Sequence, residues 1–455
     1  MSQISYIKYS DIKEARRYDA EYFKPFNLLA EDRITASAFA YLENLGKFII
    51  GPFGSTVKVE DYIEEKKYKY IRGKDIKNGA LNDLDNSAIT KEKFDSLPKY
   101  HLLNNDILIT VVGTVGNVAI YRDSFGPAIF SCKSTVFRSN KINPEFLMIF
   151  LDTKFGKSLL MRNERGAIQK GFNLPDLKKI PIPTFSEEFY RIINDLVLLS
   201  HQKQTQSKQL YHEAEKLLLS ELGLLDYQIK HKLAFSTTKK EIDEAKRYDS
   251  EYFQPKYAEI IERIEKYDGG CDVAGEIVGW KKGVEVGTEA YSETGKDFIR
   301  VSDFSVYGIS ESNRKISNQY FEDLKDSYQP KQGEILFTKD GTIGISSVLD
   351  EKVEGILSGA FLRLTLKEKY RNFEKECLSL IFNSLLCKMQ VEKLSGGAII
   401  AHLKPSDFET FKIPLIKPEI QKQIAEKIQE SHRLRKESKN LLEEAKRKVE
   451  EEIEK

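Results

Sequence analysis

Glu14-Ala15-Arg16-Arg17-Tyr18-Asp19-Ala20-Glu21-Tyr22-Phe23-Lys24-Pro25 returns as Glu244-Ala245-Lys246-Arg247-Tyr248-Asp249-Ser250-Glu251-Tyr252-Phe253-Gln254-Pro255. Nine of these twelve positions are identical at an offset of 230. The register persists downstream: Gly113-Thr114-Val115-Gly116 matches Gly341-Thr342-Ile343-Gly344, Gly166-Ala167-Ile168 matches Gly397-Ala398-Ile399, Ile182-Pro183 matches Ile413-Pro414, and Ser200-His201 matches Ser431-His432. A nearly constant offset along the whole chain means two tandem copies of one unit, and so predicts internal pseudo-two-fold symmetry.

Each copy divides by its local pattern. Residues 40 to 185 and 270 to 416 carry short β-branched and aromatic segments, such as Tyr68 to Gly73 and Asp106 to Val111, punctuated by Gly, Pro and Asn. This reads as a strand-rich α+β domain, with Asn78-Gly79 as a hairpin turn. From Ser186 to about Leu222 there is neither Pro nor Gly, and Ile192, Leu196, Leu199, Leu210, Ala214 and Leu217 recur at helical spacing. After Pro418, the residues Ile420, Ile424, Ile428, Leu434, Leu441, Ala445, Val449 and Ile453 do the same. Two long amphipathic helices are expected, each roughly 55 Å at 1.5 Å per residue. Either they pair as a coiled coil, with Lys203 and Gln206 as polar seam positions, or they lie on their own domains. The expected boundaries are a first strand-rich domain with its N-terminal arm at 1–185, a helix and linker at 186–235, a second domain at 236–416 and a last helix at 417–455.

Composition excludes whole classes. The 455 residues carry 71 Lys and Arg against 70 Asp and Glu, so no overall basic field draws the molecule to nucleic acid or anionic lipid, and any basic face is local. The apolar run Ile107 to Val112 is far short of the ~20 residues that span a bilayer. Met1-Ser2-Gln3-Ile4-Ser5 lacks the basic start and apolar stretch of a secretory signal. Cys132, Cys271, Cys377 and Cys387 form no CxxC pair, so reduced thiols in a cytoplasmic protein are expected.

Catalytic patterns are equally thin. Phe155-Gly156-Lys157-Ser158 ends like a P-loop, but Leu151 occupies the first glycine position. Asn143-Pro144-Glu145-Phe146 resembles the motif with which amino-methyltransferases hold a flipped base, yet Glu145 replaces a proline and no Gly-rich turn precedes it, so a helix start is expected. His and Cys never cluster at metal-ligand spacing. The Gly-Thr-Val/Ile-Gly tetrads suit a turn after a strand or a backbone cradle for phosphate. The Arg-Tyr-Asp triplets read as functional charge beside an aromatic or as a brace pinning each unit's entry segment to the helices.

One stretch breaks the neutrality. Between Phe150 and Ile180, Lys154, Lys157, Arg162, Arg165, Lys170, Lys178 and Lys179 face only Asp152, Glu164 and Asp176. Interleaved with Gly166, Gln169 and Gly171, this reads as phosphate-contacting charge beside an amide able to pair with adenine, or as a solvated helix face followed by a loop. On the first reading Arg165 and Lys170 hold phosphates and Gln169 reads a base; on the second Gln169 closes the loop onto backbone.

Taken in order, Ile49-Ile50-Gly51-Pro52-Phe53-Gly54-Ser55, Tyr70-Ile71-Arg72-Gly73-Lys74-Asp75-Ile76, Asn105 to Ile109, Gly113 to Gly116 and Gly166 to Gln169 resemble the specificity (S) subunit of Type I restriction-modification enzymes. In the second half Phe298 to Asp303, Gly333 to Leu336 and Ile413 to Gln421 look like the same domain. The resemblance covers essentially the whole chain. It implies two target-recognition domains, each reading half of a bipartite, asymmetric DNA site, and two antiparallel helices that space them and dock methyltransferase (M) subunits, two in number, with restriction/translocase (R) subunits joining through those. It implies no cofactor and no metal: neither S-adenosylmethionine nor ATP would be bound, and the chain itself would be non-catalytic. Candidate DNA-contacting residues are Lys58, Arg72, Lys74, Lys133, Arg165, Gln169 and Lys170 in the first half, and Lys281, Lys282, Arg300, Lys339, His402 and Lys404 in the second. Two domains reading different sequences need different base-facing side chains on a common frame. Gly51-Pro52-Phe53-Gly54 is replaced by Gly279-Trp280-Lys281-Lys282 at an offset of 228, and Gln169 by Ile400 at an offset of 231. The alternatives are a subunit of a methylation-only system, a silent recombination-type copy, or a coiled-coil scaffold with no DNA role.

Overall fold

The structure, a computed structural model of the chain, describes residues 4–63, 65, 67–77, 79–82, 86–166, 170–310, 312, 314–395 and 402–455. It forms two compact units, one of residues 1–203 and 437–455 and one of residues 204–436.

In the first unit an antiparallel sheet runs in the order Gly46–Ile50, Ser134–Ser139, Ile107–Thr110, Val118–Ile120. Its strand Ile107–Thr110 is buried along its whole length, which is why the sequence there is a continuous apolar run rather than an alternation. A second sheet, Ala128–Phe130, Tyr68–Ile71, Ser87–Ile89 and Tyr62–Ile63, contains one parallel pair, Ile129 opposite Tyr70. Phe39–Tyr41 pairs with Pro181–Pro183 and closes the unit near its beginning and end. Helices Pro144–Asp152 and Lys154–Met161 cover the first sheet, burying Phe146, Phe150, Phe155 and Leu159 against Ile107, Ile109 and Phe137. Asn143 caps the first of these helices by accepting from the Phe146 N–H at 2.8 Å, as the sequence leads one to expect. Ile76–Lys77 and Ala80–Leu81 pair antiparallel around Gly79 at φ 75°, while Asn78 lies outside the described residues.

The second unit repeats this frame strand for strand. Its first sheet is Val278–Lys282, Phe361–Leu366, Ile335–Thr338, Ser346–Val348, and its second is Gly355–Leu357, Lys296–Ile299, Lys315–Ile316, Tyr291–Ser292, again with one parallel pair, Phe298 to Ile356. The pairing corrects the sequence alignment at one place. Gly46 to Ile50 lies along Ser139 to Thr135, and Val278 to Lys282 along Leu366 to Leu362, so Gly51 corresponds to Gly283 and not to Gly279. The packing agrees: a Cβ on Gly51 would lie 2.3 Å from the Ser131 carbonyl oxygen, and one on Gly283 would lie 2.1 Å from that of Ser358. Pro52-Phe53-Gly54 is therefore replaced by Val284-Glu285-Val286, and Trp280 stands where the first unit has Phe48. The offset of 228 failed here because the second copy is four residues shorter between this glycine and the following arginine, Arg72 or Arg300.

The long helices span Glu187–Glu221 and Pro418–Glu454 and pack together antiparallel. In the first unit Tyr190, Ile193, Val197 and Ser200 form the buried seam with Ser438, Ala445 and Val449. In the second, Ser207, Tyr211, Ala214 and Leu218 do so with Gln421, Ile424, Ile428 and Ser431. These positions step by threes and fours, which is the coiled-coil repeat. Several residues expected in the seam are elsewhere. Ile192 and Leu199 are 41% and 42% exposed, Gln206 is exposed, and Lys203 lies at the flank, paired with Glu437 at 2.8 Å. The polar seam members are serines instead: Ser200 meets Ser438 at 2.9 Å and Ser207 meets Ser431 at 3.1 Å. Side chains this small bring the helix axes together, and apolarity by itself does not reveal that. Arg435, between Ser431 and Ser438, has its guanidinium 4.6 Å from the Tyr307 ring, and burial lowers its pKa. Among the described residues, no helix is long and apolar enough to cross a membrane.

Candidate nucleic-acid interface

Four loops of the first unit converge at one end of its sheets. Gly51 abuts Ser131, and a Cβ on Gly54 would lie 3.6 Å from Cys132 Sγ. The Ser131 N–H donates to Ile71 O at 2.9 Å, which ties this turn to the strand that delivers Arg72. Next to it, a Cβ on Gly73 would lie 4.0 Å from Lys133 Cβ. Lys133 O in turn accepts from the N–H groups of Val111 and Val112, and Gly171 bridges to Val112. Arg72, Lys74 and Lys133 are thus gathered with the root of the loop bearing Arg165 and Lys170. Lys58 is exposed ahead of the turn Val59–Asp61, where its backbone N–H donates to Asp61 Oδ2 at 2.7 Å.

The second unit uses the same backbone bonds with other side chains. Ser358 N–H donates to Ile299 O at 2.9 Å, Lys339 N–H to Ala360 O at 2.8 Å, and Leu403 N–H to Lys339 O at 2.9 Å, the counterpart of Phe172 N–H to Val111 O at 2.9 Å. Val112 against Gly171 becomes Asp340 against His402, and His402 Nδ1 lies 2.8 Å from Asp340 Oδ1. Arg300 and Lys339 join His402 here, while exposed Lys404 begins the following helix, Pro405–Glu409. Lys281 and Lys282 are exposed on the strand leading into Gly283, with the Lys282 ammonium 6.0 Å from the Trp280 ring centroid.

Arg72 and Arg300 occupy the same place in both units. The backbone N–H of each donates to a carboxylate three residues on, Asp75 at 2.8 Å and Asp303 at 3.0 Å. Each has a buried Nε with no hydrogen-bond partner among the described residues. Burial raises the Asp75 pKa, although the Arg72 N–H opposes this. The Arg300 Nε lies 3.7 Å from Asp303 Oδ2, so the carboxylate that caps the turn also holds the guanidinium, a group that meets phosphate oxygens and guanine edges well.

Most of the basic stretch 150 to 180 proves to be paired rather than free. Lys154 reaches Glu454 at 2.6 Å, and Arg162 is buried and holds Glu31 at 2.8 Å, so neither offers charge to a ligand. Arg165 forks onto Asp176 at 2.9 and 3.1 Å, and Lys170 meets Glu164 at 2.8 Å, which raises the Lys170 pKa. Both side chains remain exposed. Lys339 is paired with Asp340. Gln169 and Ile400 lie outside the described residues. The Gly113 to Gly116 tetrad is a turn, with φ 87° and 79° at its glycines, and a Cβ on Gly116 would run into Met161 Sδ at 2.8 Å.

The chain matches the family model described as the Type I restriction modification DNA specificity domain at residues 15–188 and 285–446, which is most of its length and both copies of the repeat. The chain belongs to this family. Membership in the Type I restriction-modification DNA specificity family explains a duplicated unit whose backbone frame is constant while its loop side chains differ. Among curated relatives, the Type I restriction enzyme EcoBI specificity subunit of Escherichia coli is 30% identical over 121 residues, and that match spans 26% of each chain. Two solved structures are similar over nearly the full length. The Type I restriction-modification S subunit from M. genitalium is 15% identical, with 91% of this chain and 94% of that one covered at a TM-score of 0.38. The HsdS subunit from Thermoanaerobacter tengcongensis is 16% identical, with 91% and 95% covered at a TM-score of 0.27.

The sequence reading took Arg162 for phosphate-contacting charge and gave no loop-holding role to any of the residues that hold these loops. Tyr22 and Arg162, Tyr252 and Lys393, and the carboxylate of Asp340 all bear on loop roots. The signal for the first four was present, because each pair recurs at nearly the offset of the repeat, as a tyrosine twice and as a cation twice.

Proposed function

We propose that this chain is the DNA sequence-specificity subunit of a Type I restriction-modification complex. The observation that carries the reading is the family match in both copies, joined to loop clusters that share backbone hydrogen bonds and differ in side chains. Residues 1–185 and 236–416 are the two target-recognition domains, each reading one half of a bipartite duplex site. Residues 186–235 and 417–455 supply the helices, which dock two methyltransferase subunits, with restriction subunits joining through them. Ile192, Leu198 and Leu199, exposed on the outer side of the first helix, are apolar surface of the kind a partner covers. The DNA-contacting set is Arg72, Lys74, Lys133, Arg165, Gln169 and Lys170 with Lys58 at the periphery, and Arg300, Lys339, His402 and Lys404 with Lys281 and Lys282. The chain works in the cytoplasm, binds no cofactor and catalyses nothing by itself.

Methylome sequencing of cells carrying the chain with its methyltransferase, and of cells lacking only the chain, tests this reading. Methylation at a bipartite motif that disappears with the chain is expected. An unchanged methylation pattern in its absence overturns the proposal. A pull-down on duplex DNA separates it from a scaffold role, since a specificity subunit shows salt-dependent retention.

A further inference from the structure

The chain entering each unit makes the same unusual contact. In the first unit Arg17 forks onto Asp19 at 2.6 and 2.7 Å and lies 4.9 Å from the centroid of the Tyr22 ring. A second guanidinium, that of Arg162, lies 4.1 Å from the same ring and is itself held by Glu31. In the second unit Arg247 forks onto Asp249 at 2.6 and 2.8 Å and lies 4.9 Å from the Tyr252 ring, with the Lys393 ammonium 4.8 Å from that ring. Arg16 and Lys246, immediately before these arginines, both adopt φ 50°, a left-handed conformation that non-glycine residues rarely take. Each arginine on the Tyr22 ring is neutralised by a carboxylate of its own, which lets two cations share one ring, but the strained residue beside the arm's arginine costs stability in both units and is kept for some return.

That return lies in what the second cation belongs to. Arg162 opens the segment leading to Arg165, and Arg17 Nη2 also reaches the carbonyl oxygens of Arg162 and Glu164 at 3.5 and 3.3 Å. On the other leg, Gly171 exchanges both backbone hydrogen bonds with Arg165 at 2.9 Å and bridges to Val112. One leg of this loop is therefore tied to the sheet and the other to the entering arm. Lys393 has the corresponding place near the end of helix Leu385–Ser395, ahead of His402.

We propose that Tyr22 and Tyr252 are positioning residues, each the centre of a cation-ring-cation clamp by which the arm entering a unit sets the orientation of that unit's late DNA-contacting residues, Arg165 and Lys170 in the first and His402 in the second. This rests on the DNA-reading function proposed above. Removing the ring takes away the surface on which the two cations meet and leaves the first loop's leg held to the arm by the two long Arg17 Nη2 bonds of 3.5 and 3.3 Å, while the core of the unit, which does not include Tyr22 or Tyr252, is left intact.

The test is competition binding of the chain in complex with its methyltransferase, across all single-base variants of the bipartite site. Tyr22→Leu is expected to lower discrimination within the first half-site about tenfold, the scale of one good base contact, and to leave the second half-site as strict as before. Tyr22→Phe keeps the ring and restores discrimination. Tyr252→Leu shows the mirror pattern, and Tyr22→Met, which keeps apolar bulk without a ring, gives the same reading should Tyr22→Leu fail to fold. Equal weakening on every duplex, or no change in the first half-site, overturns the clamp. Lack of discrimination by the unsubstituted complex sinks the DNA-reading function itself, a result distinct from either.

Discussion

Arg363 is 2% exposed and holds Glu334 by two bonds of 2.8 Å. In the first unit Asp106 stands at the position of Glu334, but its arginine, Arg138, comes from two residues further along the neighbouring strand. The carboxylate is thus fixed by its loop, where it accepts from Leu103 N–H or Lys331 N–H at 2.8 Å, and the arginine is free to move along the strand. Arg363→Met strands a buried carboxylate and is expected to cost about 3–5 kcal/mol, most of which Glu334→Leu in the same chain recovers. Trp280, the single tryptophan, lies in the second unit, so its fluorescence during urea unfolding reads this directly. At the proposed interface, Lys170 must leave Glu164 to meet a phosphate. Lys170→Ala is expected to weaken binding to every duplex alike and to reduce the salt slope by roughly one, whereas Glu164→Gln strengthens binding to every duplex. Salt titrations of both variants on specific and unrelated duplexes check this; a change confined to one half-site would make Lys170 a base reader.

For the elements, the helix pair is the instructive case. Its seam is set by close approach at two serine layers rather than by the most apolar face of either helix. Ser207→Ala with Ser431→Ala removes both hydroxyls of one layer and is expected to change stability by less than about 1 kcal/mol. Ser207→Leu forces extra volume into the same layer and is expected to cost about 1–3 kcal/mol. Both layers are polar and small, so a reversed order of these two variants in urea, again read at Trp280, would show that the serines specify the seam by hydrogen bonding and not by size.

At the scale of the whole molecule, the repeat makes two similar readers from one frame. Inserting seven residues, one whole coiled-coil repeat, at matching points near Gln206 and Glu437 adds about 10 Å to each helix without disturbing the seam. The expected outcome is a longer non-specific gap, by about three base pairs at 3.4 Å each, with both half-sites unchanged. Methylome sequencing reads the gap; an active enzyme with the original gap would mean that the helices do not set it.

Much of this was legible in the sequence by itself. The duplication, the strand-rich domains, the two long helices, the helix start at Asn143 and the turns at Gly113 to Gly116 all follow from local residue pattern, because period, caps and glycines act within a few residues of themselves. The seam was read only in part: Ala214, Ile424, Ile428, Ala445 and Val449 are buried in it as expected, but apolar Ile192 and Leu199 advertise a face that close packing at Ser200 and Ser207 overrides. The match of Gly51 to Gly283 could not be read, because a four-residue shortening inside a loop is invisible until strand pairing restores register. The charge along 150 to 180 looked free for the same reason: Glu31 and Glu454, which neutralise Arg162 and Lys154, are far away in sequence and adjacent only in the fold. Properties that depend on a residue's near neighbours were settled by sequence, and those that depend on which distant group arrives beside it were decided by tertiary structure.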